Sequence, residues 1–338
     1  MSKIMLVGDS HWGISNCNQQ MIKQNINVWN YILDMAKEYN CEAIIETGDF
    51  LDKRKEIDAN LLDIIKYNLI EKLDKYQIKL YMNVGNHNLY YRDSSSVNNI
   101  SIFQSLSNNV KVIETPTKLY NIDIIPWINK ENVDIVKDYI VNSNSKYCVG
   151  HFEFNGFNFD KSRVAEVEER LSRSTFNFYK KVFSGHYHIR SEKDNILYVG
   201  TPQQLTWIDV DVEKYIYILD TDTDDLVELV MPFEMFKQFE INEDNWKDYC
   251  NDDLKGKKVK ILYEDNIDTK FFNDIQTKFT QVNPDIQFIK KSSKKKLQEK
   301  VTLDESKSLL DSIMDYVDNI KPENQDKIKS LIKKVYNG

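Results

Sequence analysis

The sequence predicts an α/β fold in which helices cover a layered sheet, and two observations lead there. Short apolar runs rich in β-branched residues recur from residue 1 to about 205, and stretches with apolar residues at helical spacing separate them. Five of these runs end in a polar cluster that opens with glycine, as in α/β proteins whose ligands gather at the carboxyl ends of strands.

The strands predicted in this way are Ile4–Val7, Ala43–Ile45, Leu80–Val84, Ile122–Ile125, Tyr147–Val149, Val182–Phe183 and Ile196–Val199. Ile22, Ile26, Trp29, Leu33 and Ala36 form one helical stripe, and Leu61, Leu62, Ile65, Leu69 and Leu73 a second. From about residue 212 the texture changes. Tyr215–Leu219 alternates into Asp220-Thr221-Asp222, and Leu226–Met231 reads as the returning arm of a hairpin. With a strand at Lys258–Tyr263, a helix around Lys270–Phe279 and a strand near Ile286–Ile289, this region is expected to form a smaller α+β domain. Lys290, Lys291 and Lys294–Lys296 read as a solvated linker. Thr302-Leu303-Asp304-Glu305 then has the form of a capping box and opens a helix with Leu309, Ile313, Val317 and Ile320 on one side. A last helix carries Ile328, Leu331, Ile332 and Val335. The expected division is therefore 1–210, 211–289, a linker at 290–301 and a helical segment at 302–338.

Composition narrows the function. No apolar run approaches the roughly 18 residues that span a bilayer, and Met1–Val7 is too short for a signal peptide, so a cytoplasmic protein is expected. Cys17, Cys41, Cys148 and Cys250 are scattered, as free thiols in a reducing compartment would be. The net charge of -8 argues against a passive nucleic-acid coat, whose affinity comes from neutralising phosphates. An acidic chain can still act on phosphodiesters when bound cations supply the local positive charge.

The five polar clusters carry the chemistry. They are Gly8-Asp9-Ser10-His11, Gly48-Asp49-Phe50-Leu51-Asp52, Gly85-Asn86-His87-Asn88, Gly150-His151 and Gly185-His186-Tyr187-His188, and together they use all five histidines of the chain. In extended chain, residues two apart point the same way, which would pair Asp9 with His11 and His186 with His188. Carboxylate, imidazole and amide oxygen donors suit first-row divalent ions such as Mn²⁺, Fe²⁺ or Zn²⁺, and the absence of cysteine argues against a structural zinc site.

This ordered set resembles the calcineurin-like metallophosphoesterases, a superfamily with a two-metal site in a β-sandwich flanked by helices. The resemblance implies one metal on Asp9, His11, Asp49 and His188, and another on Asp49, Asn86, His151 and His186. It also implies His87 as the catalytic histidine. Asn88 stands where the family usually has a carboxylate, and an amide there should favour a protonated imidazole less. Asp52 reads as a supporting residue or helix cap rather than a ligand.

The segments GDFLDKRK (48–55), Ile125-Pro126-Trp127, CVGHFEFNGF (148–157), SGHYH (184–188) and Gly200-Thr201-Pro202 resemble the SbcD-type repair and recombination nucleases, most closely their T-even phage branch. That resemblance implies a Mn²⁺-dependent DNA exonuclease and endonuclease. It further implies a capping, DNA-binding second domain, a two-fold homodimer, and C-terminal helices docked on an SbcC-type coiled-coil ATPase. Tyr90, Tyr91 and Arg92 would then stack on and contact DNA, and Lys53 and Arg54 would meet its phosphates, although loop packing and a solvated helix start account for them equally well. A small-molecule phosphodiesterase or phosphatase of the same fold, and a weakly catalytic scaffold for the ATPase, remain the rival readings.

Overall fold

Along the first strand, β1 (Lys3–Val7), Ile4 and Leu6 join one buried cluster and Met5 and Val7 another. A strand that is apolar on both faces needs cover on both, and this dictates a layered architecture. The computed structural model describes residues 2–161, 163–264 and 267–291, together with Val317, Gln325, Ile328, Lys329 and Ile332, which are helical. Residues up to Lys291 form one compact unit.

The strands that follow are β2 (Ala43–Glu46), β3 (Lys79–Asn83), β4 (Val110–Ile113), β5 (Thr117–Leu119), β6 (Ile122–Ile125), β7 (Tyr147–His151) and β8 (Lys181–Gly185). After them come β9 (Ser191–Lys193), β10 (Ile196–Tyr198), β11 (Tyr215–Asp220), β12 (Leu226–Val230), β13 (Phe236–Ile241), β14 (Lys258–Tyr263) and β15 (Ile286–Lys290). One six-stranded sheet has the order β12-β11-β1-β2-β3-β4, and a second has the order β5-β6-β7-β8-β10-β9. In each the central strands are parallel, and antiparallel strands close one edge of the first sheet and both edges of the second. Ile4, Leu6 and Ile45 from the first sheet meet Ile124, Val149 and Phe183 from the second in the inner layer. The helix Gln19–Glu38 and the helical run from Ala59 to Tyr76, with a π turn at Lys66–Ile70, cover the outer face of the first sheet through Trp29, Ile32, Leu61 and Leu69. Val136 and Ile140 of the helix Val133–Val141 and the aromatics Phe152, Phe154 and Phe157 cover the second.

The two sheets are tied at the edge where their parallel strands end. Asn83 at the end of β3 donates from Nδ2 to Thr47 O (3.2 Å) and, across to the other sheet, to Ile125 O (2.9 Å). The Trp127 N–H donates to Val84 O (2.7 Å) in the opposite sense.

The boundary expected at 210/211 does not match the sheets. The Tyr215–Leu219 hairpin belongs to the first sheet, where β11 pairs antiparallel with β1 (Leu6 opposite Tyr217). Alternation identifies a strand but not its partner, and the inward Tyr217 and Leu219 complete the inner layer. The separate sheet begins at β13, with the order β13-β14-β15, all parallel, and with Ile275 and Phe279 of the helix Thr269–Val282 in its core. Lys290 ends β15 rather than opening a linker. The remainder of the expected linker and the C-terminal helices lie outside the described residues, apart from Lys291 and the five positions above. No helix among the described residues is long and apolar enough to cross a membrane.

A buried carboxylate organises the second sheet's outer layer. Asp123 on β6 accepts hydrogen bonds from Tyr139 Oη (3.1 Å), Ser145 Oγ (2.6 Å), Tyr179 Oη (2.7 Å) and Ser143 Oγ. Asp123→Ala leaves these hydroxyls without their acceptor, and the expected loss is about 3 kcal/mol, a large share of a domain's ~5–15 kcal/mol. Urea denaturation of the variant beside wild type measures it, and a loss under about 1 kcal/mol would contradict this role.

Candidate metal centre

Seven potential donors sit just past the ends of parallel strands: Asp9 and His11 after β1, Asp49 after β2, Asn86 after β3, His151 at the end of β7, and His186 and His188 after β8. Three groups of donors converge, Asp9–His11–His188, Asp49–His151–His186 and His11–Asp52–His87, with one donor atom per residue and all atoms of a group within 4.8 Å of one another. Asn86 joins the group of Asp49, and the two groups that share His11 abut. The Asn86 Oδ1 lies 2.9 Å from His151 Nε2 and 3.0 Å from His186 Nδ1.

The convergence is not produced by extended chain, as alternation predicted. His11 (φ 44°), Asp49 (φ 60°) and His186 (φ 87°) all occupy the left-handed region. Each costs on the order of 1–2 kcal/mol for a residue with a Cβ. Two glycines make room for these turns. A Cβ on Gly185 would lie 2.3 Å from Asp9 Oδ1, and Gly48, at φ 124°, would put one 2.4 Å from His151 Nδ1.

Backbone amides hold the two carboxylates. Asp9 Oδ2 accepts from the His186 N–H (2.8 Å) and Asp49 Oδ1 from the His87 N–H (2.6 Å). The carboxylates also face imidazoles: Asp49 Oδ2 lies 3.2 Å from His151 Nε2, Asp9 Oδ1 3.9 Å from His151 Nδ1, and Asp9 Oδ2 3.8 Å from His188 Nε2. His11 Nε2 and His188 Nε2 meet at 3.2 Å.

The bare cluster gathers protons to offset its own charge. Burial pushes the Asp9 carboxyl up, and the Asp49 charge adds to this. Burial would lower His151, but Asp49 and Asp9 outweigh it and raise the imidazole to about 9. Burial likewise opposes protonation of His11, which the Asp52, Asp49 and Asp9 carboxylates nevertheless favour. Burial and the neighbouring His11 charge push His188 well down. Burial works against the Asp49 carboxylate too, yet His151 and the other histidines hold it far below the usual range.

These residues fit divalent cations. Turning the Asn86 amide over would point its nitrogen at His151 Nε2, His186 Nδ1 and Asp49 Oδ2 (2.9, 3.0 and 3.2 Å) and satisfy the cluster with hydrogen bonds alone. With Oδ1 inward, oxygen and imidazole lone pairs converge, which is the arrangement a cation needs.

His87 sits beside this set. Its Nδ1 lies 2.7 Å from the Asp52 carbonyl, which accepts its proton and leaves Nε2 available. Its ring is 5.0 Å from that of His11. The Asp52 carboxylate lies 3.2 Å from His11 Nδ1, so Asp52 contacts two histidines at once, and the next helix is capped by Asp58 instead. The buried Asn88 does not direct its hydrogen bonds to the His87 imidazole. Its Oδ1 accepts from the Asp49 and Gly85 N–H groups (2.9 Å each) and Nδ2 donates to Asn99. Position 88 needs an acceptor that joins two loops, and an amide oxygen supplies it as a carboxylate does.

Of the residues expected near DNA, Arg54 comes nearest the cluster, with Nη2 3.3 Å from the outward atom of the Asn86 amide. Lys53 is paired with Glu56 (2.5 Å). Tyr90 and Tyr91 are exposed (38% and 56%) with their rings edge to face, and Arg92 lines a groove with Lys130, Glu153 and Arg170.

Several supporting residues escaped the sequence reading. Glu46, fully buried, accepts from the Ser10 and Gly48 N–H groups, and burial and the nearby Asp9 and Asp49 push its carboxyl well up. An acid ending a buried strand was the available signal. Asn99 Nδ2 donates to Lys53 O and His87 O, and the buried Lys214 donates from Nζ to His188 O (2.9 Å) and to Asp209 (2.6 Å). Trp127 packs against the rings of His151 and His186.

Comparison with known proteins adds to this geometry. Exonuclease subunit 1 of Enterobacteria phage T4 is 32% identical over 226 residues, which cover 66% of this chain and 66% of that protein, just short of two thirds of its length. Among solved structures, similarity extends to an archaeal phosphodiesterase (12% identity, 68% of this chain and 99% of that one, TM-score 0.34). A nuclease, MPE, of Pseudomonas putida (14%, 67% and 87%, 0.32) and a dimetal phosphatase of Danio rerio (8%, 69% and 99%, 0.39) are similar in the same way. Residues 2–190, more than half of the 338, match the calcineurin-like phosphoesterase profile, and the chain belongs to that family.

Proposed function

We propose that this chain is the nuclease subunit of a DNA repair or recombination complex, an exonuclease and endonuclease that uses two divalent cations, Mn²⁺ foremost. One observation carries the chemistry: seven donors from five strand ends converge while His87, beside them, keeps its Nδ1 on the Asp52 carbonyl and its Nε2 available. Asp9, His11, Asp49 and His188 would hold one cation and Asp49, Asn86, His151 and His186 the other. Bound there, the cations would clamp the phosphoryl oxygens and activate the attacking water.

The chain's own residues supply the rest. His87, as the imidazolium, would give its Nε2 proton to the leaving oxygen and be left as the neutral Nδ1–H tautomer that the Asp52 carbonyl holds. Arg54 beside Asn86 contacts a phosphate oxygen, and the exposed Tyr90 and Tyr91 offer rings for bases. Lys53 and Arg92 serve the flanking phosphates. The phage relative, whose name describes an exonuclease and a subunit, supports a nucleic-acid substrate and a partner. The SbcD-type resemblance makes that partner a coiled-coil ATPase, the substrate duplex DNA ends, the assembly a homodimer and the location the bacterial cytoplasm. The β13–β15 sheet would be the capping, DNA-contacting domain.

Two outcomes are expected. His87→Ala lowers Mn²⁺-dependent cleavage of duplex DNA by about 10²–10⁴-fold and leaves Mn²⁺ binding by calorimetry intact, whereas Asp49→Ala loses the binding. Undiminished cleavage by His87→Ala would rule out its catalytic role. Metal ligation also needs neutral imidazole, and the Asp49 and Asp9 carboxylates push His151 up to about 9 against its burial. Below that pH, Mn²⁺ must displace its proton, so affinity rises with pH through the neutral range. At pH 7.5 the binding enthalpy should change with the ionisation enthalpy of the buffer, and a buffer-independent heat would contradict the ligation.

A further inference from the structure

A cavity walled by chain neighbours of metal-centre residues is, apart from Lys53 at its rim, not used in the chemistry above. Two of its wall residues, Trp12 and Leu51, pair as a parallel bridge. They are the chain neighbours of His11 and Asp52, the two residues that contact each other and His87. Its volume is about 180 Å³, which is room for a ring system.

The lining has two characters. Trp12, Leu51 and Leu61 are buried and form an apolar interior, while Asn16, Lys53 and Glu56, more exposed, form a polar rim with donors and acceptors. The space depends on Gly13. At φ 88° a Cβ there would run into Leu61 Cδ2 at 2.8 Å. The buried indole nitrogen of Trp12 also has no hydrogen-bond partner.

An apolar slot with a polar edge, one residue away from a phosphodiester-cleaving centre, matches the chemistry of a heterocyclic base: apolar faces and a hydrogen-bonding perimeter. We infer that this cavity receives the nucleobase next to the scissile phosphodiester, with its faces against the Trp12–Leu61 interior and its edge toward Asn16, Lys53 and Glu56. The inference rests on the nucleic-acid reading of the substrate. It gives the enzyme a grip on the terminal nucleotide that a base-free phosphodiester lacks.

Cys17 lines the cavity and is partly exposed, which makes it a reporter. The experiment follows its alkylation by iodoacetamide, by mass spectrometry of the full chain without divalent metal, so that nothing is hydrolysed. Deoxyadenosine 5′-monophosphate at ten times its dissociation constant should slow Cys17 alkylation about tenfold by mass action. Cys250 should react at an unchanged rate, and deoxyribose 5-phosphate should give no protection. A single-stranded oligonucleotide should protect only while its terminal base is present. Ile57→Trp, which fills the cavity from its partly buried side, should abolish protection yet still hydrolyse bis(p-nitrophenyl) phosphate with Mn²⁺. Unprotected Cys17 in the wild-type chain, or equal protection by the base-free sugar phosphate, would overturn the base site whatever the variant does. Protection by the mononucleotide but by no oligonucleotide would overturn its place at a strand end. Protection in a chain that cleaves no DNA would sink the nuclease reading and leave a base site standing.

Discussion

Oxygen and imidazole lone pairs are crowded together where the two sheets end, and the surrounding structure is arranged around keeping them there. Asp9, Asp49 and Glu46 are all buried within this region, and four imidazoles and an amide oxygen turn toward it. Without positive charge the arrangement is costly, because buried carboxylates lack the hydration they have in water. Protons answer part of that need, as the raised His151 and His11 indicate. Divalent cations answer it more fully, since they satisfy several lone pairs at once.

The scaffold accepts strain to hold this crowding in place. His11, Asp49 and His186 adopt left-handed backbone, and the two glycines beside Asp9 and His151 admit contacts that a Cβ would forbid. Hydrogen bonds then fix each strained turn from behind. Asn88 joins the Asp49 and Gly85 loops, Glu46 joins those of Ser10 and Gly48, and Lys214 ties down the carbonyl of His188. None of these supporting groups needs to meet substrate. Their common effect is to make the donor geometry a property of the fold, so that binding energy is not spent on arranging the site.

Much of the architecture was legible because strands buried on both faces leave continuous apolar runs, as Ile4–Val7 and Ala43–Ile45 do. Strands that went unrecognised are shorter or mixed in character. β5 (Thr117–Leu119) and β9 (Ser191–Lys193) are edge strands of three residues, and β13 mixes polar and apolar residues without a period of two. The hairpin β11–β12 was recognisable, but its partner β1 lies more than two hundred residues earlier, a pairing that no local pattern encodes. The donor residues stood out because rare side chains recur after glycine at strand ends. Their supports did not, because Asn99 and Lys214 are single polar residues remote in sequence from His87 and His188, and only the folded chain gives them meaning.

The central claim is that this cluster holds two cations with Asp49 between them. The most direct measurement is anomalous diffraction from crystals of the full chain grown with Mn²⁺. The account predicts two manganese peaks about 3.5–4 Å apart, one near Asp9, His11 and His188 and the other near Asn86, His151 and His186, with an Asp49 oxygen shared. A single peak, or peaks away from Asp49, would contradict it.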